Sequence, residues 1–319
     1  MTFQRDSKIV TVFGGGGFVG RYACDALARA GVRLRVAQRD PREAYFLQPL
    51  GQVGQIGFVK ADMRDAGSIE RAVAGADAVV NLVGVFKGDL DRIHVAGPRL
   101  AAAAAKAGGA SAFVHVSAIG GDPDSASNYG RTKGEGEAAV RAEFPDATVL
   151  RPSILFGAED AMTNRFAQMA TLPALPVVAG QTRFQPLHVR DLGRAVAMAA
   201  LDPARFGGKT FDVAGPEVMT MREMVAQIAA LAGQSPTLID VPAPIASLIS
   251  KFGFLPGAPL TGDQWLMLQK DNIADGSKPG LEAFGITPSA LSAVAGEWLG
   301  RFREGGRFAP SAVTGQPVA

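Results

Sequence analysis

The chain has 319 residues, a formal net charge of +2 and 19% charged residues. That length can bury a large core and suggests one large domain or two unequal ones, and the near-neutral balance leaves no broad electrostatic footprint for nucleic acid. The single cysteine, Cys24, excludes an internal disulfide and fits a reducing compartment. Cys24 reads as a small buried apolar side chain. The stretch Met1–Asp6 lacks the apolar core of a signal peptide. No uninterrupted apolar run reaches about 18 residues, so no membrane span is expected.

The first element is the most informative. Ile9 to Phe13 is a β-branched, apolar run that predicts a strand. It ends in Gly14, Gly17 and Gly20, and a helical pattern follows with Phe18, Val19, Tyr22, Ala26 and Leu27 on one face. Strand, glycine turn and helix form the context that a dinucleotide fingerprint requires. Gly14 permits the tight turn, Gly17 lets the backbone approach a pyrophosphate, and Gly20 lets helix and strand pack closely. The free N–H groups and positive dipole end of the helix then face the phosphates.

Further strands are expected at Val32–Gln38, Ile56–Lys60, Ala76–Val83, Ala112–Ser117, Thr148–Arg151 and Lys209–Val213. Helices are expected at Arg92–Ala107 and Asn128–Glu143. Alternating strands and helices imply an α/β fold, a Rossmann-type doubly wound parallel sheet. The expected divisions are a dinucleotide-binding core at 1–155, a smaller C-terminal region at 156–304 with returning core elements near 186–214, and a loose tail at 305–319.

The second strand ends in Gln38 and Arg39, where an NAD-binding chain usually places an acidic ribose ligand. An amide and a guanidinium suit a 2′-phosphate instead. Asp40 complicates this, since its carboxylate can reach a ribose, and Arg21 and Arg42 add positive charge nearby. Asp62 follows the third strand, where a carboxylate can accept from an adenine amino group or cap a turn. Asn81 to Gly84 ends the fourth strand, with room for a ribose at the glycine. Tyr129 and Lys133, four apart, share a helix face. An ammonium beside a phenol is expected to lower its pKa and fit it for acid–base work.

In the C-terminal region, Thr220–Leu231 reads as a helix opened by a capping box of Thr220 and Glu223. Ala243–Phe252 reads as a helix with Ile245, Leu248, Ile249 and Phe252 in one stripe, followed by Phe254, Leu255 and later Trp265 to Met267. The default for such a stripe is core packing; the alternative is an exposed apolar patch that docks on a larger complex or membrane surface. His94, His115 and His188 show no ligand-like spacing, so no metal site is expected.

Taken together, Gly14-x-x-Gly17-x-x-Gly20, Asp62, Asn81-x-x-Gly84, Tyr129-x-x-x-Lys133 and Arg151-Pro152 resemble the short-chain dehydrogenase/reductase superfamily, in its extended or atypical epimerase-like branch. Gln185 to Leu192 and Phe211 to Gly215 resemble that branch's later markers. Within the branch, Phe13 to Tyr22, His115 to Ala118 and Leu150 to Gly157 are most similar to the NADPH-binding accessory subunits of respiratory complex I and their bacterial relatives.

The resemblance implies a cofactor seat of Gly14, Gly15, Gly17, Phe18, Val19 and Gly20, with Gln38, Arg39, Asp62, Met63, Leu82, Val83 and Gly84. Val116, Ser117, Tyr129, Lys133, Pro152, Ser153 and Ile154 complete it, and NADPH is preferred over NAD. It also implies Tyr129 and Lys133 as catalytic or vestigial groups. The superfamily's catalytic hydroxyl falls on Ala118 or Ile119 and is missing. Ser117 is the nearest remaining hydroxyl, expected to bond backbone at the strand end, and Ser125 or Ser127 can swing in. His94 stands where the superfamily has a helical asparagine. A lost oxyanion donor is worth roughly 2.7–4 kcal/mol, or about 100- to 1,000-fold in rate.

Two expectations follow. One is a weakly active or inactive NADP(H)-binding accessory or assembly subunit of membrane-bound complex I, on the cytoplasmic side, touching the membrane peripherally through 243–255. The other is a free NADPH-dependent reductase or sugar-nucleotide epimerase, with Arg165, Arg183 and Arg190 as candidates for a diphosphate.

Overall fold

In a computed structural model, which describes residues 8–253, 260–303 and 305–306, β1 (Ile9–Phe13) leads through the glycine turn into α1 (Phe18–Arg29). Then come β2 (Arg33–Gln38), β3 (Ile56–Lys60), α2 (Ala66–Val73), β4 (Ala78–Asn81), α3 (Gly97–Ala107), β5 (Ala112–Val116), α4 (Asn128–Glu143) and β6 (Thr148–Pro152). The longer elements that follow are α5 (Ala161–Met169), β7 (Ala174–Val178), α6 (Val189–Leu201), β8 (Thr210–Val213), α7 (Met221–Leu231), β9 (Thr237–Val241), α8 (Ala243–Lys251) and α9 (Gly262–Met267), with two-residue strands and single-turn helices between and after them.

Seven parallel strands form one sheet in the order β8-β6-β5-β4-β1-β2-β3. The order reverses between β1 and β4, where Phe13 pairs with Asn81. Crevices outside strand C-termini form at such a reversal. Val10 and Val12 face the core shared with Cys24, Leu27, Leu192 and Val196, under α1 and α6. Phe13 faces the opposite core with Ile69, Ala101, Ala105 and Val140, under α2, α3 and α4. Burial on both faces is why β1 is apolar without alternation. Cys24 is fully buried, and burial pushes its thiol up to about 12.

Two elements differ from expectation. The predicted helix from Arg92 begins instead with a looser π-helical turn at Asp91–Ala96. Gly97 there presses against Met63, whose carbonyl oxygen lies 2.6 Å from where a Cβ would stand. The predicted strand Ala76–Val83 is shorter, because Asn81 Oδ1 accepts from Val83 N–H (3.2 Å) and turns the chain out of the sheet.

The C-terminal region has its own core of Leu175, Val177, Met224, Val225 and Ile228. Its strands β7 and β9 pair in parallel and are not among the expected strands; β7 contains Pro176. In a two-stranded sheet both strands are edges, where a missing N–H is tolerated. The capping box at Thr220 forms, with Thr220 N–H donating to Glu223 Oε2 at 2.7 Å.

The default reading of the 243–252 stripe as core is overturned. The helix buries Ala246 and Ser250 and leaves Ile245, Leu248 and Phe252 about half exposed. Small residues are buried because the chain returns close by: a Cβ on Gly253 would stand 2.9 Å from Leu260 O. Phe254 and Leu255 lie outside the described residues. Among the described residues no helix is long and apolar enough to cross a membrane.

Candidate functional site

The glycine turn builds an open seat. Gly14 takes φ +77°, and Gly14 O accepts from Gly17 N–H at 3.0 Å. Gly17 is the N-cap of α1 in extended conformation, and no side chain caps that helix end. A Cβ on Gly17 would meet only Gly14 O, at 3.2 Å. Phe18 and Val19 in the first turn are half-buried. Gly15 is buried, with Cys24 Sγ 3.1 Å from where its Cβ would be. Helix-end N–H groups without a side-chain cap and a positive helix end are what a pyrophosphate needs.

At the end of β2, Gln38 Oε1 accepts from Gly16 N–H at 2.9 Å, so its amide folds over the loop. Arg39 is exposed and makes no ion pair among the described residues. The other charges nearby are committed. Asp40 is held in a fork by Arg42 (2.7 Å), which keeps its carboxyl down at about 2. The expectation that Arg42 adds free positive charge is therefore corrected. So is that for Arg21, which binds Glu159 at 2.8 Å and lies over Phe46. Asp62 is gripped by Arg64 at 2.6 Å and lowered to about 2. Asp62 caps its own turn, accepting from Arg64 N–H at 2.9 Å, while Asp65 caps α2. Met63 is buried below this turn.

The reaction end gathers Leu82, Val83, Gly84, Val116, Ser117, Tyr129 and Lys133. Lys133 is buried and donates from Nζ to Val116 O at 2.9 Å. A Cβ on Gly84 would lie 3.7 Å from that Nζ, so the end of β4 passes close to the ammonium. Burial lowers Lys133 to about 8, against the opposing charge of Glu137. Tyr129 is half-buried on the same helix, and its hydroxyl makes no hydrogen bond among the described residues. The expected lowering of its pKa by Lys133 is corrected: burial pushes the phenol up to about 12, because Lys133 is turned to a carbonyl instead.

Ser117 also departs from expectation. Its Oγ is buried without a partner, while its N–H donates to Leu150 O at 2.8 Å. Ser125 and Ser127 are occupied at the start of α4, where Ser127 Oγ accepts from Gly130 N–H (2.9 Å) and Ser125 Oγ from Ser127 N–H (3.3 Å). Ala118 and Ile119 are half-buried at the strand end.

Residues far along the chain, unmarked in the sequence, complete the site. Asp263 of α9 accepts from the Asn128 and Tyr129 N–H groups at 2.6 and 3.1 Å, capping α4 from 135 positions away. Asn272 accepts from Ile154 N–H (2.7 Å) and Ser153 Oγ (2.9 Å) and donates to Ile119 O. It thus ties the ends of β5 and β6, next to Pro152, with one side chain. The diphosphate candidates do not assemble: Arg183 is forked to Asp271 (2.7 Å), while Arg165 and Arg190 sit exposed on α5 and α6. Although distant in sequence, His94 and His115 both pack at Gly136 of α4. Among the described residues no three His, Cys, Asp or Glu side chains are placed to hold a metal ion.

The family model described as "NAD dependent epimerase/dehydratase family" matches residues 10–214. The chain is 35% identical over 306 residues to "NADH dehydrogenase (ubiquinone) 1 alpha subcomplex subunit 9, mitochondrial" of Mus musculus, covering 92% of this chain and 80% of the relative. It is 32% identical over 242 residues to the ceramide reductase of Caulobacter vibrioides, covering 74% of each. Its fold matches that of an NADPH-dependent quinone oxidoreductase of Escherichia coli complexed with NADPH, with a TM-score of 0.72 at 20% identity over 89% of this chain and 97% of that one. With this glycine seat, this parallel sheet and a family match across more than half its length, the chain belongs to the NAD-dependent epimerase/dehydratase family.

Proposed function

We propose that the chain holds NADP(H) across the C-terminal ends of β1, β4 and β5 and serves as an accessory or assembly subunit of respiratory complex I, with little turnover. The observation that carries this is an intact nucleotide seat beside a depleted reaction end. Gly17 leaves the helix end open and Lys133 faces Gly84, while Ala118 and Ile119 supply no hydroxyl. The likeness to the mouse complex I subunit supports the assignment of partner. When bound, the nicotinamide supplies a hydride. Lys133 then holds the ribose hydroxyls, and Tyr129 is the available proton donor.

A second reading, a free NADPH-dependent reductase, is favoured by the retained Tyr129 and Lys133 and by the likeness to a ceramide reductase. We place the protein on the cytoplasmic side of the membrane complex. The exposed apolar face of α8 is the contact surface. Its stretch from 241 to 262 contains no acidic residue and one basic one, Lys251, which suits an apolar or lipid neighbour.

Purification of the tagged full chain from its own membranes tests this. The expected result is stoichiometric NADPH and co-purifying complex I subunits. Replacing Ile249 and Phe252 together by serine should release those subunits while the melting temperature of the isolated chain stays put, because both side chains face outward. A chain that carries no nucleotide, or no complex I subunit, counts against the proposal.

The preference for NADP(H) rests on Arg39. Guanidinium–phosphate bonds are charge-assisted and contribute about 1.5–3 kcal/mol. Arg39→Ala should therefore reduce the ratio of NADPH to NADH affinity by at least about tenfold, as read by calorimetry. An unchanged ratio would remove Arg39 from the reading.

A further inference from the structure

Phe86 lies two residues beyond Gly84, in the loop between β4 and α3. It is large, apolar and 57% exposed, so the core does not require it. Its ring lies on the ring of Tyr129, with centroids 4.7 Å apart and planes 21° from parallel. His94 meets the same phenol edge-on, at 5.5 Å and 90°.

His94 also fastens the loop that carries Phe86. Its Nε2 accepts from Val85 N–H at 3.1 Å. A neutral imidazole with Nε2 as acceptor bears its proton on Nδ1, which donates to Thr132 Oγ1 at 2.9 Å. Thr132 in turn donates to Asn128 O (2.8 Å) in the first turn of α4. Burial drives His94 down to about 3, so the imidazole stays neutral at ordinary pH and the latch holds. Beyond Phe86 the loop reaches Gly88, at φ +100°, a conformation that glycine adopts without strain. One latched end, a glycine on either side and an exposed ring make Phe86 a separable cover.

We propose that Phe86 is a gate on Tyr129: stacked as it is here, it closes the phenol off from substrate, and a carbonyl compound reaches the phenol only when the loop 84–90 lifts the ring away. The closed gate separates nucleotide binding from chemistry. The seat at Gly17 stays open, while the retained phenol is covered. Only the turnover arm of the test below rests on the nucleotide reading.

The test compares Phe86→Ala with Phe86→Trp, which keeps a stacking ring, in the full-length chain. Tetranitromethane nitrates accessible tyrosines, and peptide mass spectrometry resolves the chain's three: Tyr22, Tyr45 and Tyr129. Exposed Tyr45 is the internal reference. The expected result is at least fivefold faster nitration of Tyr129, relative to Tyr45, in Phe86→Ala, with no rise in Phe86→Trp. With NADPH and diacetyl, a small uncharged diketone, NADPH consumption should also rise at least fivefold in Phe86→Ala. That gain should vanish when Tyr129→Phe is added. Unchanged or slower nitration of Tyr129 in Phe86→Ala overturns the gate. Faster nitration without NADPH consumption upholds the gate and counts against the reductase reading instead.

Discussion

Gly17→Val should abolish NADP(H) binding and leave the fold standing. Gly17 has φ −77° and ψ −178°, extended backbone that any residue adopts. Its Cβ would meet only Gly14 O, at 3.2 Å. The internal cost is then a poor N-cap, about 1 kcal/mol, together with a small shift of the Gly14 carbonyl oxygen that the added Cβ presses. The external effect is larger, because the added isopropyl group occupies the space through which a pyrophosphate approaches the first turn of α1. Affinity should fall by at least about 100-fold, or about 2.7 kcal/mol. Calorimetry for binding and a melting curve for the fold check both halves. Retained stoichiometric NADPH in this variant would place the nucleotide elsewhere.

Gly20→Ala should do the reverse, damaging the fold first. A Cβ on Gly20 would overlap the carbonyl oxygens of Gly14 and Gly15. These are backbone atoms held by the turn, with no flexible end to move aside. The overpacking should cost about 3 kcal/mol, the upper end for such insertions. At about 2.1 cal/mol/K of unfolding entropy per residue, that lowers the melting temperature of a chain this size by about 4–5 °C. Nucleotide affinity should fall as well, since the turn must shift to admit the methyl group. A variant as stable as the parent would show that α1 packs more loosely than the glycine spacing demands.

The contrast between these two glycines shows what kind of information lay in the sequence. The requirement at each is local: a left-handed φ at Gly14, an open helix end at Gly17, a close approach at Gly20. Backbone geometry of that sort depends on near neighbours, so residue type and spacing report it directly. The same holds for the sheet. The run Ile9–Phe13 coincides with a strand because burial on both faces selects β-branched and apolar residues along it, and Ile56–Lys60, at the sheet edge, coincides with a strand although only Ile56 is fully buried. Asn128–Glu143 coincides with α4, opened by Ser127 as N-cap.

Electrostatics at the site was not legible in this way. Arg21, Arg42, Asp40 and Asp62 look like free charges beside a nucleotide seat, yet each is neutralised by a partner. For Arg21 the partner, Glu159, is 138 positions away, and no spacing announces it. The phenol of Tyr129 moves up because helix α4 is buried and Lys133 turns to Val116 O. A four-residue spacing fixes which helix face two residues share, but not which atoms their long side chains reach.

By itself the sequence determined the strand–turn–helix nucleotide seat, the alternation that builds the parallel sheet, and the absence of a hydroxyl at Ala118 and Ile119, because each follows from residue type and short-range periodicity. Only the tertiary structure decided which face of α8 points outward, which carboxylates cap or pair the charges of the site, and that Phe86, His94, Asp263 and Asn272 meet around Tyr129 and the ends of β5 and β6. Those contacts are made by loops and helix ends brought together across the sheet, and chain folding, not sequence distance, sets which of them become neighbours.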